Sequence, residues 1–138
     1  MYYIKSIMKN TIFKLTEYVY YFSLVALLIL YLFPGSLIGY FLYGNLGQQP
    51  NLITNPIGTS INHLIFFSYI TLLAITIRPR VKNIFTSYKV ILFISFILEI
   101  LHLIIPNRAF EFYDLIANIF GVVIVLLINS FTKWSKSI

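Results

Sequence analysis

The sequence contains no cysteine and only four acidic residues in 138. Without cysteine there is no disulfide framework, no thiolate nucleophile and no cysteine metal site. Charge of either sign is scarce as well, at 10% of the chain, where a soluble domain carries about 25%. Hydrophobic residues make up 59% and the mean hydropathy is +0.88. A soluble all-α domain of this length has no core large enough to hide so much apolar surface. Glycine and proline are also withheld from most of the chain. Five of the six glycines and three of the five prolines fall in 34–60, which carries no charge. There is no internal repeat, no phosphate loop, no nucleotide fingerprint and no Ser-His-Asp order.

What fills the remainder is apolar runs of bilayer length. Crossing a bilayer takes about 17–25 apolar residues, and four segments qualify, at about 15–33, 61–77, 88–105 and 114–131. In lipid each backbone amide must be satisfied within its own segment, so an open chain crosses as helix. The expected fold is all-α, an integral membrane four-helix bundle forming a single domain over 1–138. Ile4, Ile7, Met8, Ile12 and Leu15 recur at helical spacing, with Lys5, Ser6 and Lys9 off that face. This predicts an interfacial helix leading into the first span. The long first apolar run lacks a small-residue cleavage site, which favours an uncleaved span over a secretory signal.

The basic residues orient the bundle. Lys5, Lys9 and Lys14 precede the first span, Arg78, Arg80, Lys82 and Lys89 flank the turn between the second and third, and Lys133 and Lys136 follow the fourth. All nine fall on one side of a four-span topology, leaving Arg108 alone on the other. By the positive-inside rule both termini are cytoplasmic, which predicts a multi-pass protein of the inner membrane. The lysines flank spans without forming a patch with stacking aromatics, so no nucleic-acid partner is expected. Membrane lipid is the expected partner, and the sequence does not set an oligomeric state. The 34–60 segment then lies outside, its Tyr40, Phe41 and Tyr43 suited to the headgroup zone, either flat on the membrane or capping the bundle. The other Tyr and Phe residues read mostly as belt and lipid contact.

Three of the four acids sit in the stretch EILHLIIPNRAFEFYDLIANIFG, at 99–121. Glu99 and His102 share a helix face at i, i+3. Pro106 stops the third span, and Asn107 suits a turn. Asp114 opens the fourth span, where a carboxylate can cap free amides, and Asn118 and Gly121 continue its stripe. His63 lies just inside the second span. Topology therefore brings His63, Glu99, His102, Arg108, Asp114 and Asn118 to one depth in the outer third of the membrane. Ionisable groups there need a partner and mark a functional site by default. Arg108, the one outer fixed cation, is expected to bridge Glu99, Asp114 or both. Gly121 is expected to let the second or third span approach the fourth closely.

As a site, this layer reads as ligand-binding through Arg108, Asp114, Asn118, Glu99 and His63. Its catalytic candidates are Glu99 as acid or base, with His102 or His63 as partner. Glu111 reads as solvated. Two histidines with a glutamate form an acceptable ligand set, but their spacing is no metal motif, so neither metal nor cofactor is expected. A purely structural subunit, in which these groups only pin the helices together, is the remaining alternative.

The same stretch resembles the VanZ-like family of small bacterial membrane proteins. That family's motif runs Glu-x-x-Gln, three residues, Pro-x-Arg, five residues, Asp, three residues, Asn, two residues, Gly. Glu99, Pro106, Arg108, Asp114, Asn118 and Gly121 stand at this spacing. His102 replaces the glutamine, and Val125 replaces a second glycine. His63 matches the histidine of a Lys-x-x-His that opens the family's second span, with Ser60 in place of the lysine. The resemblance covers 60–125. It implies an envelope protein with an outer-leaflet site, in a family named for a protein linked to resistance to the glycopeptide teicoplanin. A lipid-linked or glycopeptide-type ligand is the partner it implies.

Overall fold

The computed structural model describes residues 2–50, 58 and 60–137, with side chains from residue 6 onward; part of the 34–60 loop, at 51–57 and 59, lies outside the described residues. Among the described residues five α-helices follow in order: α1 Tyr2–Leu32, α2 Leu37–Tyr43, α3 Ser60–Ile77, α4 Tyr88–Leu101 and α5 Phe112–Ser135. A 3-10 turn at Ile84–Thr86 precedes α4. No strand occurs among the described residues. Of these helices α1, α3 and α5 are long and apolar enough to cross a membrane. Large apolar side chains such as Phe22, Phe93, Ile104 and Phe131 are exposed, as a bilayer solvent allows.

Two boundaries differ from the sequence expectation. The interfacial segment and first span are one unbroken 31-residue helix, about 46 Å long at 1.5 Å per residue. The run at 88–105 is α-helical only to Leu101. Beyond it the amides of His102, Leu103 and Ile104 bond carbonyls three residues back, on Glu99, Ile100 and Leu101. Pro106 is the cause: it has no N–H to offer the carbonyl of His102 and its ring disfavours helix at Ile105. Asn107 then takes a left-handed conformation, φ 58°, and completes the expected turn.

The buried stripe repeats at alternating spacings of four and three. On α1 it is Tyr20, Leu24, Leu27 and Tyr31; on α3, His63, Phe67, Ile70, Ala74 and Ile77; on α4, Ile91, Ser95 and Leu98. This is the seam that places successive side chains against a facing helix. It includes Ala74 and Ser95, with Ser23 and Thr71 buried beside it, because in lipid the helices gain by close packing, not by hiding apolar surface. α3 and α5 approach closely at Gly121. A Cβ there would lie 2.5 Å from the Leu64 carbonyl oxygen, and the Ser68 hydroxyl donates to the Gly121 carbonyl at 3.1 Å.

The ends of the bundle differ in character. At one, Arg80 donates to Asn10 at 3.2 Å and lies over the Phe13 ring. Arg78 lies over Tyr88, and the Tyr20 hydroxyl donates to the Phe85 carbonyl at 2.5 Å. Arg80, between α3 and α4, thus lies beside the N-terminal half of α1. At the opposite end α2 folds over the bundle. Ser36 caps it by accepting from the Gly39 amide at 2.9 Å, and Gly44 ends it in left-handed conformation. Gly39 is packed so tightly that a Cβ would collide with the Gln48 carbonyl. Tyr40, Phe41 and Tyr43 point outward, Phe41 with 81% of its surface free.

Candidate functional site

Polar side chains from α1, α3, α4 and α5 meet at the end opposite Arg78 and Arg80. Glu99 and Asn118 are fully buried, at 0% exposure, and His63, His102, Asp114 and Tyr31 are buried with them. His63 is the hub. Its Nδ1 lies 2.8 Å from the Tyr31 hydroxyl, 3.2 Å from Asn118 Oδ1 and 3.7 Å from Glu99 Oε2. Its Nε2 lies 3.4 Å from Asp114 Oδ2. Tyr31 donates to Asn118 Oδ1 at 2.9 Å. Asn118 Nδ2 in turn donates to the Ser95 carbonyl at 3.3 Å and to Glu99 Oε2 at 3.4 Å, tying α5 to α4. Glu99 Oε1 accepts from the Glu111 amide at 3.2 Å and lies 3.3 Å from His102 Nδ1. His102 Nε2 reaches the Tyr31 carbonyl at 3.2 Å, and its ring stacks on Tyr31.

The expected convergence of His63, Glu99, His102, Asp114 and Asn118 is therefore present, but two roles differ. Arg108 bridges neither Glu99 nor Asp114. Its Nε donates to the Phe33 carbonyl at 3.3 Å and its Nη2 to the Leu30 carbonyl at 2.5 Å. The last turn of α1 leaves carbonyls without helical partners, and the guanidinium fork satisfies two of them. Asp114 does not cap its own helix either. Glu111 holds the cap position without a side-chain bond. Asp114, within the first turn, accepts from Ser60 on α3 at 2.5 Å.

Beside this network lies a cavity of about 100 Å³. Tyr31, His63, His102 and Arg108 form one wall, and Leu27, Leu30, Leu37 and Phe66 give it an apolar side. Asn62 also lines it. Its Nδ2 donates to the Pro50 carbonyl at 2.7 Å, while its Oδ1 is buried without a hydrogen-bond partner among the described residues. Tyr31, Ser60 and Asn62 are the contributors that sequence reading passes over. Tyr31 sits in an apolar, aromatic run and is indistinguishable there from a belt residue. Its one signal is the four-three spacing it shares with Tyr20, Leu24 and Leu27.

Electrostatically the site is rich in acceptors. Each ring nitrogen of both histidines faces an oxygen, and every ion pair among the described residues joins a histidine to a carboxylate. Buried carboxylates persist only when paired or bound to a cation, and no lysine or arginine pairs with Glu99 or Asp114. In the turn, burial lowers the Arg108 guanidinium pKa, with Tyr31 and Glu99 opposing, and the group stays charged at any physiological pH. Glu111 is exposed, as expected. Partial burial and then the neighbouring Asp114 and Glu99 raise its carboxyl above the usual range. The arrangement can hold protons or a cation among its acceptors, and offers a fixed positive charge to a ligand in the cavity. No family model, curated protein or solved structure matches this chain.

Proposed function

We propose that this chain is a VanZ-like, four-crossing protein of the inner membrane, with both termini cytoplasmic. In this reading it binds an anion-headed amphiphile of the envelope in the cavity beneath α2: a lipid, a lipid-linked precursor or a glycopeptide-type ligand. The motif spacing over 99–121 and the one-sided distribution of basic residues support the assignment. The observation that carries the binding role is the placement of Arg108. Two of its five N–H donors hold carbonyls and, among the described residues, no carboxylate pairs with it, so its charge remains for a ligand in the cavity. Leu27, Leu30 and Phe66 line the path of an attached chain, and Asn62 Oδ1 awaits a donor.

The test is native mass spectrometry of the purified protein titrated with phosphatidylglycerol and with phosphatidylcholine. Wild type is expected to prefer the anionic lipid. Arg108→Lys should weaken that binding about tenfold, or 1.4 kcal/mol, because an ammonium cannot hold both carbonyls and still present a planar fork. Undiminished binding by Arg108→Lys, at wild-type helical content, would remove the arginine from the reading.

One observation favours a second reading, a membrane enzyme acting on a lipid-linked or cell-wall substrate. Tyr31, His63 and Asp114 align as hydroxyl, imidazole and carboxylate, at 2.8 Å and 3.4 Å, next to the cavity. Such an alignment can move a proton. Here Glu99→Gln should fold yet abolish turnover.

A further inference from the structure

The buried acids raise a question of charge that the ligand reading leaves unanswered. Glu99 and Asp114 bring two negative charges into a site whose only fixed cation among the described residues, Arg108, is engaged with carbonyls at the end of α1 and just beyond it. Two imidazolium ions could balance them, as could one divalent cation. The separations speak against the first. A charge-assisted N–H···O bond is about 2.7–2.9 Å long, yet His102 Nδ1 stands 3.3 Å from Glu99, and the two ring nitrogens of His63 stand 3.4 Å from Asp114 and 3.7 Å from Glu99.

We infer that His63, Glu99 and Asp114, one from each of α3, α4 and α5, form a binding site for a divalent first-row transition cation of the zinc and manganese class. One donor atom from each of the three lies within 4.8 Å of the other two. An ion at the centre of such a triangle sits about 2.8 Å or less from every corner, so an inward swing of under about 1 Å per side chain reaches bonding distance. One imidazole nitrogen with two carboxylate oxygens suits zinc or manganese better than a soft cation, since no thiolate or thioether is present. The surroundings supply what such ligands require. Ser60 orients Asp114, and the Glu111 amide and Asn118 Nδ2 orient Glu99. Outer partners of this kind fix the ligands of known metal sites. Three protein ligands leave further coordination positions for water or a ligand group.

The site stands independently of the lipid reading, because none of its ligands is Arg108. The experiment uses the full-length protein in detergent, stripped with chelator and titrated separately with Zn²⁺ by calorimetry and with Co²⁺ by visible absorption. The expected result is saturation at one ion per chain, ligand-field bands for Co²⁺ in an oxygen–nitrogen shell, and a raised Tm. Asp114→Asn and Glu99→Gln should each weaken Zn²⁺ binding at least tenfold while Glu17→Gln, on α1 and outside the polar network, leaves it unchanged. Should Glu99→Gln fail to fold, Asp114→Asn and the wild-type titration still decide. Absence of saturable uptake of Zn²⁺, Co²⁺ and Mn²⁺ by wild type would overturn the proposal and leave the two histidines carrying the balancing protons. Wild-type affinity in both carboxylate variants would equally overturn it by placing the ion elsewhere.

Discussion

Tyr31 shows how one atom can hold a site together without announcing itself. Its hydroxyl faces both His63 and Asn118, its carbonyl receives His102, and its ring stacks on the same imidazole. Removing the hydroxyl strands buried partners on two other helices. Leaving such groups unsatisfied costs about 1–3 kcal/mol, so Tyr31→Phe should lower the Tm in detergent. The same change at exposed Tyr40 should leave it unaltered, and a melting curve for each decides. His63, Glu99, His102, Asp114 and Asn118 were legible in the sequence because polar residues are conspicuous in an apolar run. Tyr31 was not, since a tyrosine there looks the same whether it faces lipid or a histidine. Nor was the use made of Arg108. Acids nearby suggested ion pairs, whereas the claim on it comes from backbone carbonyls, which composition does not display.

Helices were legible by length and apolarity, and their ends less so. Counting apolar residues carries the third span through LHLII to Ile105, but Pro106 removes a donor and crowds the preceding turn, so α4 stops at Leu101. Nor does hydropathy say which face of α3 is buried, because apolar residues are spread evenly around it. Gly121 is the exception, as a lone glycine in a span points to close approach. The expectation left open which helix it would meet, and it is α3. Gly121→Leu should force α3 and α5 apart and lose more than about 1–3 kcal/mol, the usual cost of overpacking. Gly121→Ala should fall between Leu and wild type, as the Leu64 backbone must shift to admit even a methyl group. Resistance to SDS unfolding, read by circular dichroism across the three proteins, checks the order.

The bundle keeps Arg78 and Arg80 at one end and Glu99, Glu111 and Asp114 at the other, and this polarity is what the proposed topology rests on. The chain's lack of cysteine makes it directly testable. A single cysteine at exposed Asn45, beside α2, should react with a membrane-impermeant maleimide in intact cells. One at exposed Ser137 should react only after permeabilisation. Reversed labelling would invert the bundle, and equal labelling of both would put the termini and α2 on the same side. The short α4 gives that topology a mechanical side effect. Fourteen residues reach about 21 Å, well short of a hydrocarbon layer about 30 Å thick, and a bilayer answers such a shortfall by thinning locally. On the proposed topology the exterior leaflet would therefore dimple above His102 and Arg108. Water and headgroups would be drawn down to the carboxylates, and the protein would wear its own shallow well in the membrane.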